Sequence, residues 1–437
     1  MGFLLVIATL ITCLYAVKRS WAAAALLIVL LPLEQVLQSY YPFLRSASGS
    51  WLVNVLIAVI VALSWLNARI TVPPLTTLFQ CKVPLISTVL FTWAFLTCAW
   101  SPSSENALEI ITKGLPYYLV IVVLGSQLVS TLPDLRRCLY LTLALGLLVQ
   151  SSFIFNPEFD FRDGRLALDL GGGYRSSSLA IGESGGISLI IATLMRDPHA
   201  KRVWLFFRLS AAIIGGVVLI MSGARGQLIA AVLASATFFA FANSQRSAQR
   251  TIGSLVMVVL LLLFGWIIFD AVLSLLPTLA STRFSTQEIL YGASSASGRV
   301  GNVSALFSAW LQSPTAPFIG LGYVAFGSIS GGSAIEVYCH NVYAEVIFEL
   351  GLPGAICMAA VIYIATNSAI QLLRMSNFEP SDRAAVTVLM GLIAYQSLLL
   401  AKQGSLWGSF TFFLYLAIIE RIQRHSELTL TTVPVEV

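Results

Sequence analysis

Charge is scarce in this sequence. Aspartate, glutamate, lysine and arginine together make up 10% of its 437 residues, against 57% hydrophobic residues, where an ordinary soluble domain carries about 25% charge. A water-soluble fold could not hide so much apolar surface, so the bilayer is the expected solvent. The six cysteines form no Cys-x-x-Cys pair. Cys13, Cys98, Cys138 and Cys357 lie in or near apolar runs and read as small soft hydrophobes, and Cys339 has no partner in its own loop. No Asp-x-Asp or His-x-x-x-His spacing suggests a metal. The run Gly171-Gly172-Gly173 precedes no Lys-Ser/Thr, so no nucleotide loop is expected. No basic residue precedes the first apolar run, Gly2 to Val17, and Lys18-Arg19 follow it. That order reverses a secretory leader and reads as a retained span with its start outside.

The apolar runs are continuous over about 16–25 residues, the length of a spanning helix, and do not alternate as barrel strands do. The expectation is an all-α fold, a polytopic transmembrane helical bundle of about 12–13 spans, forming a single integral membrane domain over 1–437. The spans fall near 2–17, 21–37, 51–68, 83–100, 109–129, 134–155, 179–195, 203–221, 226–242, 251–276, 342–370, 384–401 and 405–420. Lys18, Arg19, Arg69, Lys82, Arg136, Arg137, Arg196, Lys201, Arg202, Arg246, Arg250, Arg374, Arg383, Arg421 and Arg424 then fall in alternate breaks or the tail. This is the positive-inside pattern, with a cytoplasmic C-terminus. The net charge of +5 is a topology signal, and no nucleic-acid partner is expected. Two outer segments are long: 156–178, and 277–341, which is partly helical. In the second, Val303, Leu306, Phe307, Trp310 and Leu311 recur at helical spacing between Val300 and Gln312. Such a helix can lie at the membrane surface or pack on the bundle, and the two are compatible.

Chemistry-bearing residues gather on that outer side. Of three histidines, His199 and His425 fall in a cytoplasmic break and the tail, whereas His340 stands where the long loop meets the next span. An imidazole there can accept a proton from a hydroxyl, or serve only as a polar neighbour of a helix cap. Arg225 lies in Ser222-Gly223-Ala224-Arg225-Gly226 and Arg299 in Ser297-Gly298-Arg299-Val300-Gly301. Small residues let backbone amides approach an anion, and the guanidinium fork suits a phosphate. Snorkelling to lipid headgroups is the plain alternative for either arginine alone. Arg162, Arg165 and Arg175 add positive charge that Glu158, Asp160, Asp163 and Asp169 offset. Glu345 and Glu349, four apart, share one stripe of a helix and form no catalytic set with His340.

Three stretches carry a family likeness: SGARGQLIAAVLA from Ser222, SGRVGNVSALFSAWLQSPTAPFIGLGYVAF from Ser297, and HNVYAEVIFELGLPGAI from His340. In order and placement they resemble the bacterial O-antigen ligase and O-antigen polymerase family of membrane glycosyltransferases. The likeness covers about the second half of the chain. It implies transfer of a glycan from undecaprenyl diphosphate to an acceptor hydroxyl at the periplasmic face of the inner membrane, without cofactor or metal and with inversion. The implied partners are the lipid-linked donor, a glycan or glycolipid acceptor, and membrane lipid. His340 would be the general base, Arg225 and Arg299 would hold the diphosphate with Arg175 as a further candidate, and Asn341 would orient or cap beside the base. Ligase and polymerase stay open, since they share the chemistry and differ in acceptor. A transporter is the competing class, although Glu34, Lys113, Glu183, Asp270 and Lys402 fall near outer span ends rather than at midplane. A structural or assembly subunit without activity is the third reading.

Overall fold

The computed structural model describes residues 1–46, 49–69, 81–156, 158–162, 165–171, 174–195, 202–243, 293–329, 338–375 and 379–432. The expected span 251–276 and the opening of the long loop, 277–292, lie outside them. Among the described residues seven helices are long and apolar enough to cross a membrane: Ser20–Tyr40, Lys82–Trp100, Ser104–Gln127, Leu132–Phe155, Arg202–Met221, Gly351–Arg374 and Pro380–Leu400. Four shorter apolar helices, Gly2–Lys18, Leu52–Ala68, Ser178–Leu194 and Arg225–Phe239, coincide with further expected spans. The protein is an all-α, polytopic helical bundle.

Helix is the only element that closes every backbone hydrogen bond within one segment, so lipid selects it. The helix Gly351–Arg374 shows how side chains sort about it. Leu352, Ile356 and Tyr363 are exposed on one face, while Gly354, Met358, Val361 and Ala365 are covered by protein on the other. In a bilayer the exposed face meets acyl chains.

Packing divides the chain into two compact units. The first comprises Met1–Ala68, Leu132–Tyr291 and Met375–Tyr395. Its helices Ser178–Leu194 and Arg202–Met221 approach through glycine: a Cβ on Gly185 would lie 2.6 Å from the carbonyl oxygen of Gly215. A Cβ on Gly186 would lie 2.3 Å from the buried Tyr395 hydroxyl. Small residues at crossings are the ordinary means of bringing membrane helices together. The loop 156–178 is not irregular. It forms an antiparallel sheet of Phe159–Arg162, Arg165–Gly171 and Tyr174–Arg175, in that order. Leu166 and Leu168 are buried from its central strand, and Glu158, just before it, pairs with Arg45 at 2.8 Å.

The second unit comprises Arg69–Thr131, Gly292–Arg374 and Gln396–Val437. Here the expected span 342–370 is two pieces. Val342–Ala344 runs into a π-helical turn, Glu345–Glu349, the chain breaks at Leu350, and the spanning helix starts at Gly351. Gly351 has φ +66, and a Cβ there would meet the Gly320 amide nitrogen at 2.4 Å. Only glycine fits both demands. At the other end of this unit, Glu420 in the helix Phe410–Thr432 accepts the Lys82 and Val83 amides at 2.8 and 2.7 Å. A carboxylate far along the chain thus caps the helix Lys82–Thr97.

Candidate functional site

His340 is placed by its neighbours. The preceding thiol, Cys339, is buried and donates to the Asn341 carbonyl at 3.3 Å. Burial pushes that thiol well up, and the carboxylates of Glu345 and Glu349 push it the same way, so it is a neutral filler and not a nucleophile. The following residue, Asn341, is the N-cap: its side-chain oxygen accepts the Ala344 amide at 3.0 Å, and its carbonyl accepts the Glu345 amide at 2.9 Å. Between them His340 takes φ +59, a left-handed conformation uncommon for a residue with a Cβ. The imidazole is half-buried and meets the Tyr338 ring edge-on at 4.6 Å. A backbone held off its ordinary basin between a buried residue and a cap fixes where the imidazole can reach.

Arg299 lies in the same unit, half-buried on the helix Ala293–Gln312. The expected amphipathic stretch is this helix, begun seven residues earlier. Leu306 is fully buried with Phe326, Cys339 and Ala344, and Val303 packs against them. Phe307 and Trp310 each sit 5.6 Å from the Phe348 ring. Arg299's helix and His340's segment therefore share one apolar core, two turns from the arginine.

The loop after that helix is the part that sequence reasoning missed. Residues Gly320 to Phe326 fold back on the π-turn. The Leu321 and Gly322 amides donate to the carbonyls of Phe348 and Glu349, both at 3.0 Å. The Glu349 carboxylate accepts Val324 N–H at 2.8 Å and Phe326 N–H at 3.0 Å. Gly320, Gly322 and Val324 all have positive φ, and a Cβ on Gly320 would lie 2.0 Å from the Glu349 carbonyl oxygen. From the other side, Tyr323 N–H donates to Thr97 and Ser101 donates to the Tyr323 carbonyl. Glu345, also buried, accepts the Leu406 amide with both oxygens at 3.2 Å. Both glutamates lie on the π-turn rather than on a regular helix, and both accept backbone amides.

Arg225 and Arg175 lie in the first unit. Arg225 opens the helix Arg225–Asn243 after a turn in which Gly223 has φ +66, and it is half-buried. Gln227, fully buried, anchors the turn by donating to the Leu179 carbonyl at 2.8 Å. Gly182 leaves room for it, since a Cβ there would fall 2.1 Å from the Gln227 side-chain oxygen. Leu179 stands just after Ser177, the N-cap of the helix Ser178–Leu194, and Ser177 follows the strand Tyr174–Arg175 closely. The backbone segments of Arg225 and Arg175 thus meet at one helix start. His340, Asn341 and Arg299 belong to the second unit, and Arg225 and Arg175 to the first.

No curated protein matches this chain. Residues 209–359, about a third of the chain, carry the Arg225 turn, the Arg299 helix and the His340 cap, and over this stretch the chain is similar to the family described as O-antigen ligase.

Proposed function

We propose that this protein transfers a glycan from undecaprenyl diphosphate to an acceptor hydroxyl at the periplasmic face of the inner membrane. The observation that supports this most directly is His340, held at φ +59 between buried Cys339 and the Asn341 cap, in the unit that also carries half-buried Arg299. In this reading the His340 imidazole takes the proton of the acceptor hydroxyl as its oxygen attacks the anomeric carbon. The bond from that carbon to the diphosphate oxygen breaks, and the electron pair leaves on undecaprenyl diphosphate. Attack opposite the leaving group inverts the anomeric centre. Arg299 and Arg225 meet the growing negative charge, with Arg175 as a further contact, and Asn341 caps the helix that follows the base. The protein supplies the charge stabilisation itself, so the reaction is metal-independent. A base of this kind contributes about 10²–10⁴-fold, and each stabilising donor about 10²–10³-fold.

The test is complementation of a strain deleted for the gene, comparing wild type with His340→Ala and Arg299→Ala at matched membrane abundance. The expected result is loss of surface polysaccharide with both variants. Long lipid-linked chains accumulating would mark a ligase, and single lipid-linked repeats a polymerase with the same chemistry. Wild-type behaviour of both variants would remove these residues from the reaction and turn attention to transport.

A further inference from the structure

Glu349 belongs to no step of the reaction just described, yet it is 2% exposed and has both oxygens engaged by one distant loop. The two amides it accepts, Val324 and Phe326, bracket a segment whose Phe326 side chain is fully buried against Leu306 and Cys339. Leu306 lies two turns from Arg299 on one helix, and Cys339 precedes His340. The loop that this carboxyl group holds therefore packs, through Phe326, on the core shared by the helix of Arg299 and the segment before His340. The same loop cannot relax easily away from it. Val324 is left-handed at φ +64 and Gly322 at φ +97, and a Cβ on Gly322 would strike Ser101 Cα at 2.5 Å. Two hydrogen bonds from buried amides to one carboxyl group restrain such backbone at two points.

We propose that Glu349 is a positioning residue that sets the separation of Arg299 and His340 by clamping the loop 320–326. The functional half of this inference rests on the reading of those two residues as parts of one site. Glu349→Gln keeps the shape and tests the clamp, because its amide nitrogen must face one of the two N–H donors and lose that bond. Glu349→Asp keeps both oxygen acceptors but shortens the reach, and is expected to fall between Gln and wild type.

The experiment places spin labels beside the two residues, at V300C and Y338C, both exposed positions. Cys357→Ser removes the one native cysteine that is not buried. Pulsed dipolar spectroscopy in lipid nanodiscs then reads the distance distribution. A narrow distribution is expected with Glu349 intact, a broad or split one with Glu349→Gln, and a narrow one with Glu420→Gln, which loosens a different clamp of the same unit. In unlabelled protein, turnover with an undecaprenyl-diphosphate oligosaccharide is expected to fall about 10²-fold in Glu349→Gln, the scale of a misplacement near 1 Å, with the KM for that donor little changed. A distribution that stays narrow in Glu349→Gln overturns the proposal whatever the activity does. A broadened distribution with undiminished transfer keeps the clamp and overturns the shared site. Should Glu349→Gln not accumulate in the membrane, Glu349→Asp gives the same two readings at smaller amplitude.

Discussion

Among the described residues of the first unit, the long polar side chains that reach zero exposure are neutral. Gln150 donates to the Ser184 carbonyl and Ser188 hydroxyl, and Gln227 to the Leu179 carbonyl. In the second unit the corresponding depth is occupied by carboxylates: Glu345, Glu349 and Glu420, at 2%, 2% and 1% exposure. The partners differ as well. The amides of the first unit bind between regular helices that meet through glycine, whereas the carboxylates of the second collect N–H groups from loops and a helix start. Regular helices satisfy their own backbone, so they need only neutral adapters at crossings. Irregular backbone buried at membrane depth leaves N–H groups without partners, and a carboxylate accepts several of them at once. The unit carrying His340 is therefore the one in which irregular backbone had to be stabilised.

The sharpest way to break this comparison is at the glycines. Gly320→Ala puts a Cβ 2.0 Å from the Glu349 carbonyl oxygen at a φ of +82, which neither side can yield to. The expected outcome is failure of the protein to accumulate in the membrane. Gly216→Ala, in the first unit, meets nothing within 4 Å and is expected to raise stability slightly, by about 0.5–1 kcal/mol, as alanine replaces glycine in a helix. Thermal unfolding in detergent micelles distinguishes the two. Accumulation of folded Gly320→Ala would mean that the loop can dock in another way.

Next in size come the buried polar side chains. Glu420→Ala leaves the Lys82 and Val83 amides without their partner, at about 1–3 kcal/mol for the buried Val83 donor and less for that of Lys82. Gln227→Leu removes both donor and carbonyl of a neutral group and leaves one helix carbonyl short of a bond, so it is expected to cost about 1 kcal/mol. The ordering, carboxylate above amide, is the prediction. Equal losses in melting temperature for the two variants would remove the distinction between the units.

The regular parts of the fold were legible in the sequence because lipid makes continuous apolar length the dominant signal. The twelve expected spans that fall on described residues each coincide with a helix, although the one read as 342–370 begins only at Gly351. That break escaped because a π-turn changes the period by a fraction of a residue, too little for hydropathy to register. The sheet escaped although a signal was present: Arg165-Leu166-Ala167-Leu168-Asp169 alternates with period two, and its leucines are the buried positions. For the candidate site, the residue types and their order were readable, as was the helix carrying Arg299. The support behind them was not. Glu349's partners lie 25 and 23 residues before it, and Glu345's lies 61 residues after, so only the folded chain shows which backbone they hold.

The smallest expected effect is at Asn341, where cap and chemistry can be separated. Its side-chain oxygen accepts the Ala344 amide, and losing an N-cap costs about 1 kcal/mol. Aspartate caps equally well, so Asn341→Asp is expected to keep the melting temperature of wild type while Asn341→Ala loses a few degrees. Transfer then discriminates two roles. If Asn341 serves only to start the helix, activity follows stability, and Asn341→Asp works as wild type does. If its amide also orients His340, aspartate places a negative charge beside the imidazole, favours its protonated form and shifts the pH profile of transfer upward. The comparison of units favours the first outcome, because the backbone around this segment is held by Glu345 and Glu349 rather than by the residue next to the base.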